Sequence, residues 1–228
     1  YLPTSVTGIM GGGGSSSGGD DDDVASSSIE IRTSITFSNS TMSENTATDG
    51  EEGSGGAVYS YESDVALIND AKVKNNKASV SGGGCFFQAS TVSILDSALQ
   101  DNHVVGTRGK GGGFSCISST IKVKESSIEE NSAGQDGGAI SATFCPITMT
   151  SVTVSSNKAV AGRGGGLNAE LMCEINIKNS LFQQNTASIL GAGVFAEEVL
   201  SCRITGSTFA ANIAGTQKEE TDETSGGG

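Results

Sequence analysis

Hydrophobic residues along this chain alternate with polar ones over short stretches, at a period of two. The pairs are Ile35/Phe37, Ala66/Ile68, Val92/Ile94, Ile121/Val123, Ile147/Met149, Ile175/Ile177 and Cys202/Ile204. Such alternation describes a strand with one buried face. No segment carries apolar residues at i, i+3, i+4 and i+7 over two turns, so helices are not expected. Each pair precedes a second motif: an apolar residue, two variable residues, Asn, one variable residue and a small residue. That motif places asparagines at Asn45, Asn76, Asn102, Asn131, Asn157, Asn185 and Asn212, spaced by 31, 26, 29, 26, 28 and 27 residues. Glycine-rich triplets follow at 55–57, 82–84, 111–113, 137–139, 164–166, 191–193 and 226–228, after an earlier cluster at 11–14.

The period makes the chain a repeat protein. One unit of this length cannot bury its apolar side alone, whereas units stacked in register share a continuous core. The pattern predicts about three short strands per unit and an all-β fold, a right-handed parallel β-helix solenoid of about seven coils. At about 4.8 Å per coil the rod is about 34 Å long. Each Asn is expected at a bend, in a left-handed conformation, its amide bonded to the equivalent Asn one coil away. Residues 1–228 read as a single segment, either part of a longer solenoid or a stacking subunit, with loop insertions at 15–28 and 216–225.

Composition narrows the function. The formal net charge of −13 opposes a nucleic-acid partner, which needs a basic footprint. No apolar run is long enough to span a bilayer as a helix. Glycine contributes 33 of 228 residues, but the periodic placement of the 35% hydrophobic residues excludes disorder for most of the chain. Aromatic residues are 5% and Trp is absent, which disfavours the sugar-stacking cleft of a polysaccharide-active β-helix enzyme. That enzyme is the alternative reading.

The pairing of Gly-Gly-Ala-apolar with Phe-x-x-Asn resembles the repeat of the chlamydial polymorphic membrane proteins and their relatives. Residues 55–58 and 137–140 match the first element, and 182–185 and 209–212 the second. The resemblance implies a parallel β-helix displayed as the passenger of a surface adhesin, with no catalytic residues to carry over.

Candidate chemistry is sparse. Cys145 and Cys173 share a register, so a disulfide between stacked coils is one option and buried thiols the other. The only His, His103, follows a ladder Asn and reads as an exposed turn residue. Lys110 lies in a glycine-rich stretch without the Ser or Thr of a phosphate loop. With Arg108 and Arg163 it reads as a solvated basic edge. The run at 20–23 reads as solvated charge rather than a Ca²⁺ site, and no metal or cofactor is expected. Counted back from each Asn motif, the outward positions of the alternating strand hold Lys122, Lys124, Lys178 and Arg203 and no carboxylate. This is a candidate partner face. Asn39 heads the sequon Asn-Ser-Thr, so a glycan is expected there if the chain is secreted by a eukaryote. The function expected is a non-catalytic, extracellular or cell-surface protein, adhesive or structural. Its partners would be itself, by end-to-end stacking into a filament, or a host or cell-surface protein or glycan.

Overall fold

The computed structural model describes residues 32–48 and 53–215. Every regular element in them is a strand. The chain winds into about seven turns, and each turn adds one strand to each of four sheets. One full turn contains Thr120–Lys124, Ser127–Glu129, Ser132–Ala133 and Ile140–Thr143. The first three sheets have seven strands and the fourth has six. Successive turns pair in parallel, for example Ile121 with Ile147 and Val123 with Met149. This is a parallel β-solenoid. The expected loops at 15–28 and 216–225, the run at 20–23 and the clusters at 11–14 and 226–228 lie outside the described residues.

The sequence predicts three strands per turn, and the structure has four. The additional one is the two-residue strand after each ladder Asn, such as Lys77–Ala78. Two residues are too few to show an alternation. Its small residue is buried in Ala78, Ala133, Ala159 and Ala187. Space there is short because the glycine triplet of the preceding turn packs against this strand. A Cβ on Gly138 would stand 2.4 Å from the Gly165 carbonyl oxygen and 2.5 Å from the Lys158 nitrogen.

The inward pairs of the first sheet form the core, from Val92 and Ile94 through Ile175 and Ile177. The second turn departs from the expected register. Val65 and Leu67 are buried and pair with Ile35 and Phe37, whereas Ala66 and Ile68 face outward. The cause is one extra residue at the following corner. Asn69 and Asp70 both take positive φ there, at 52° and 63°. Counting back from the Asn motif through that corner shifts the strand by one, which exchanges its faces.

Each turn has four corners in the left-handed region. In the turn above these are Ser118, Glu125, Glu130 and Gly137, with φ of 50°, 51°, 57° and 68°. The third corner corrects the expectation for the asparagines. The left-handed residue is the one before the ladder Asn, namely Glu44, Asn75, Asp101, Glu130, Ser156, Gln184 and Ala211. Reversing the backbone one residue earlier turns the Asn side chain into the coil, where it finds partners. An exposed residue takes the left-handed position at a cost of about 1–2 kcal/mol.

Candidate functional site

The asparagines form one continuous ladder. Asn131 shows the arrangement. Its backbone N–H and its Nδ2 both donate to Oδ1 of Asn157, at 2.9 and 3.0 Å. The second Nδ2 hydrogen goes to the Leu99 carbonyl of the preceding turn, at 3.0 Å. Its Oδ1 accepts the backbone N–H and Nδ2 of Asn102, both at 3.0 Å. Two donors and two acceptors are all an amide side chain has, so the group is saturated. The pattern repeats from Asn45–Asn76, at 2.8 Å between side chains, to Asn185–Asn212, at 2.9 Å. Asn76, Asn102, Asn131, Asn157 and Asn185 are fully buried. The apolar residue three places before each Asn has a double role: its side chain fills the core, and its carbonyl serves the next turn's amide.

Two further ladders escaped the sequence reading. At the corner before the second sheet, the Ser97 N–H donates to Ser126 Oγ at 3.1 Å, and Val152 N–H and Ser180 N–H continue the column to Ser180 and Ser207. Each hydroxyl donates back to the carbonyl two residues earlier, as Ser126 does to Lys124 at 2.7 Å. The signal was present: Ser recurs two residues before the apolar residue of the Asn motif at 40, 97, 126, 180 and 207. The third ladder precedes the first sheet and holds Ser90, Ser119, Cys145 and Cys173. Ser90 N–H donates to Ser119 Oγ at 3.0 Å, Ser119 N–H to Cys145 Sγ at 3.5 Å, and Cys145 N–H to Cys173 Sγ at 3.2 Å.

These cysteines follow the second of the two expectations, buried thiols, and add a bonding role to it. Cys145 and Cys173 stack on adjacent turns, but all five thiols are free and no disulfide joins them. Their sulfurs replace serine hydroxyls as acceptors for corner N–H groups. Each also donates to a carbonyl, Cys145 to Thr143 and Cys173 to Glu170. A bridge would take these sulfurs away from backbone groups that have no water to turn to. Cys85 packs in the core as a small hydrophobe, and burial pushes its thiol up to about 12. Cys202 occupies the Ile register at the last described turn, where it is exposed.

The outer faces carry the remaining chemistry. Lys110 and Arg163 are not a solvated edge. Lys110 Nζ lies 3.3 Å from Asp136 Oδ2 and 3.4 Å from Glu170 Oε2, and the Asp136 carboxylate is almost wholly buried. Asp136 Oδ1 also accepts the Arg163 backbone N–H at 2.9 Å. The Arg163 guanidinium lies over the Phe195 ring at 4.9 Å and pairs with Glu197 at 3.0 Å. Lys110, Asp136 and Arg163 each immediately precede a glycine triplet, so the turns stack their charges in alternating sign. Beside them on the fourth sheet, Asn168 is fully buried with both amide atoms unpartnered. The same sheet exposes Tyr59, stacked on Phe86 at 5.3 Å, and Tyr61.

On the first sheet, Lys122, Lys124, Lys178 and Arg203 all point outward and are exposed. The face is less cationic than the sequence suggested. The strands carry a third outward column containing Asp64 and Glu174, and Lys124 Nζ pairs with Glu125 at 3.1 Å. The outward positions of the second turn are Ala66 and Ile68. His103 Nε2 meets Asp101 Oδ1 at 2.8 Å, and both are about half exposed. Ser132 neighbours His103 across the sheet without a hydrogen bond between their side chains. Asn39 is exposed at a left-handed corner, φ 48°.

Residues 125–143 match the family model for the Chlamydia polymorphic membrane protein (Chlamydia_PMP) repeat. That stretch spans three corners, at Glu125, Glu130 and Gly137, and the second, third and fourth strands of a single turn. No curated protein and no solved structure matches the chain. The turn at 125–143, with Asn131 and Gly137–Gly138 at its corners, is therefore similar to a Chlamydia polymorphic membrane protein repeat, and it is set in a solenoid of turns built to the same plan.

Proposed function

We propose that this chain is a non-catalytic, surface-displayed rod with an adhesive role. The observation that carries the reading is how the buried polar groups are used. In the ladders they hold one turn to the next, and the ladder amides are saturated by one another. What remains for chemistry is on the outside, arranged as faces rather than a cleft. The repeat match at 125–143 supports display at a cell surface, since that family is surface-associated.

The fourth-sheet face is the adhesive surface in this reading. Tyr59 and Tyr61 are exposed aromatics of the kind enriched in partner contacts. The Lys110–Asp136–Glu170 and Arg163–Glu197 groups lie farther along the same face, five turns from the tyrosines at most. Beads coated with the chain test this under flow, over surfaces bearing a panel of polysaccharides and cell-surface proteins. Retention on at least one surface, lost with Tyr59→Ala/Tyr61→Ala, is expected. Uniform non-retention overturns the adhesive role. Release of reducing ends from any polysaccharide overturns the non-catalytic reading.

A further inference from the structure

Lys110, Asp136 and Glu170 come from three successive turns and meet on the outside of the fourth sheet. Lys110 Nζ stands 3.3 Å from Asp136 Oδ2 and 3.4 Å from Glu170 Oε2. The Asp136 carboxylate is only 8% exposed. Its other oxygen, Oδ1, accepts the Arg163 backbone N–H at 2.9 Å. Gly162 closes over that oxygen: a Cβ there would stand 2.4 Å from it. The backbone beneath is fixed as well. Gly111 N–H donates to the Asp136 carbonyl at 3.0 Å, and Gln135 N–H to the Gly109 carbonyl at 2.8 Å. An amine, a buried carboxyl carbon and a second carboxylate are thus held together.

The other lysine pairs among the described residues lack these features. Lys72 meets Asp70 at 3.0 Å and Lys124 meets Glu125 at 3.1 Å, but those carboxylates are 67% and 55% exposed. No second carboxylate pairs with either lysine among the described residues. Burying an ion pair strips water from two charges, and their attraction often fails to offset that. A neutral amide between the same two turns avoids the penalty.

We propose that Lys110 and Asp136 condense to an isopeptide bond between adjacent turns, with Glu170 carrying the protons. The Lys110 ammonium gives one proton to Glu170, and the freed electron pair on Nζ attacks Cγ of Asp136. Negative charge builds on Oδ1, where the Arg163 N–H already points. Glu170 passes its proton to Oδ2, and a second proton follows from Nζ by the same route. The Cγ–Oδ2 bond breaks and Oδ2 leaves as water. Nζ keeps one hydrogen, Oδ1 becomes the amide oxygen, and Glu170 ends as it began. No oxidant or other reactant enters. Free amines and acids do not join this way in dilute water, but reactants held in place act at effective concentrations of about 10⁵–10⁸ M. The event happens once per molecule and turns nothing over, so it suits a non-catalytic rod and does not depend on the adhesive role. The bond closes residues 110–136 into a covalent ring, and pulling on the chain cannot unwind that turn.

Intact-mass spectrometry of the purified full chain reads the bond. The folded chain should weigh less than its sequence by one water, and denaturation should not restore the mass. A tryptic digest should contain a branched peptide joining Lys110 to Asp136, uncut after Lys110. Lys110→Arg and Glu170→Gln should keep the full sequence mass and the circular dichroism of the parent. A full sequence mass in the unmodified chain after prolonged incubation overturns the inference. So does a water lost without a branched peptide, as a succinimide at Asp136-Gly137, or a branch from Lys110 to Glu170. Water loss in Glu170→Gln at the parent rate overturns the part given to Glu170. Retention under flow leaves these masses untouched, so the bond and the adhesive role fail separately.

Discussion

Replacing Asn131 by Ala cuts the ladder at its centre. The side chain makes four hydrogen bonds, all at 3.0 Å: two donated, to Leu99 O and Asn157 Oδ1, and two accepted, from Asn102. Ala leaves the Asn102 backbone N–H and one of its Nδ2 hydrogens facing an apolar methyl in a fully buried site. A net hydrogen bond contributes about 1 kcal/mol, and each buried orphan costs about 1–3 kcal/mol. The two orphaned donors together cost about 2–6 kcal/mol, against a total of about 5–15 kcal/mol for a typical domain. Asn45 is the control. Its side chain donates one bond, to Asn76 Oδ1 at 2.8 Å, from an exposed position. Asn45→Ala should cost no more than about 1 kcal/mol. Urea unfolding followed by circular dichroism compares them. Asn131→Ala no more destabilising than Asn45→Ala would refute the argument that the ladder holds the turns together.

Other outcomes follow from the same geometry. Gly138→Ala should abolish folded protein, read as loss of soluble yield, because its Cβ collides with backbone on two sides. Phe144 is an exposed residue at φ 57°, so Phe144→Asn should stabilise by about 0.5–1 kcal/mol in thermal melts. A native thiol titration with Ellman's reagent should find Cys202 rapidly and the other four only after unfolding. The Cys85 thiol, held at about 12 by burial, loses its proton in the unfolded chain first. Its contribution is complete below the unfolded value and is lost between about pH 9 and 12, at about 1.4 kcal/mol per pH unit. Cys85→Ala should flatten that alkaline limb.

The solenoid was legible because its determinants are local and repeated. The alternation at Ile121/Val123 names a strand, and the Asn spacing names the coil. Strand faces were legible wherever the corner had its usual length. At Asn69–Asp70 one added residue reversed the faces of the strand before it, and nothing in the alternation of Ala66 and Ile68 announced that. The left-handed residue was misplaced by one because Asn is the residue type that best tolerates that conformation. The structure uses Glu130 or Ser156 there and reserves the amide for bonding. Charge pairing was the least legible. Lys110, Asp136 and Glu170 are separated by 26 and 34 residues in sequence, and only the pitch of the coil brings them together.

The stacked amides can be observed directly. In the isotopically labelled protein, a through-hydrogen-bond scalar coupling should connect the Asn131 backbone nitrogen to the side-chain carbonyl carbon of Asn157. The same coupling should join Asn102 to Asn131 and Asn157 to Asn185. Its presence at these rungs would establish one asparagine accepting from the next along the coil. Assigned spectra without it, with the Asn131 amide exchanging as fast as that of the exposed loop residue Arg108, would contradict the account.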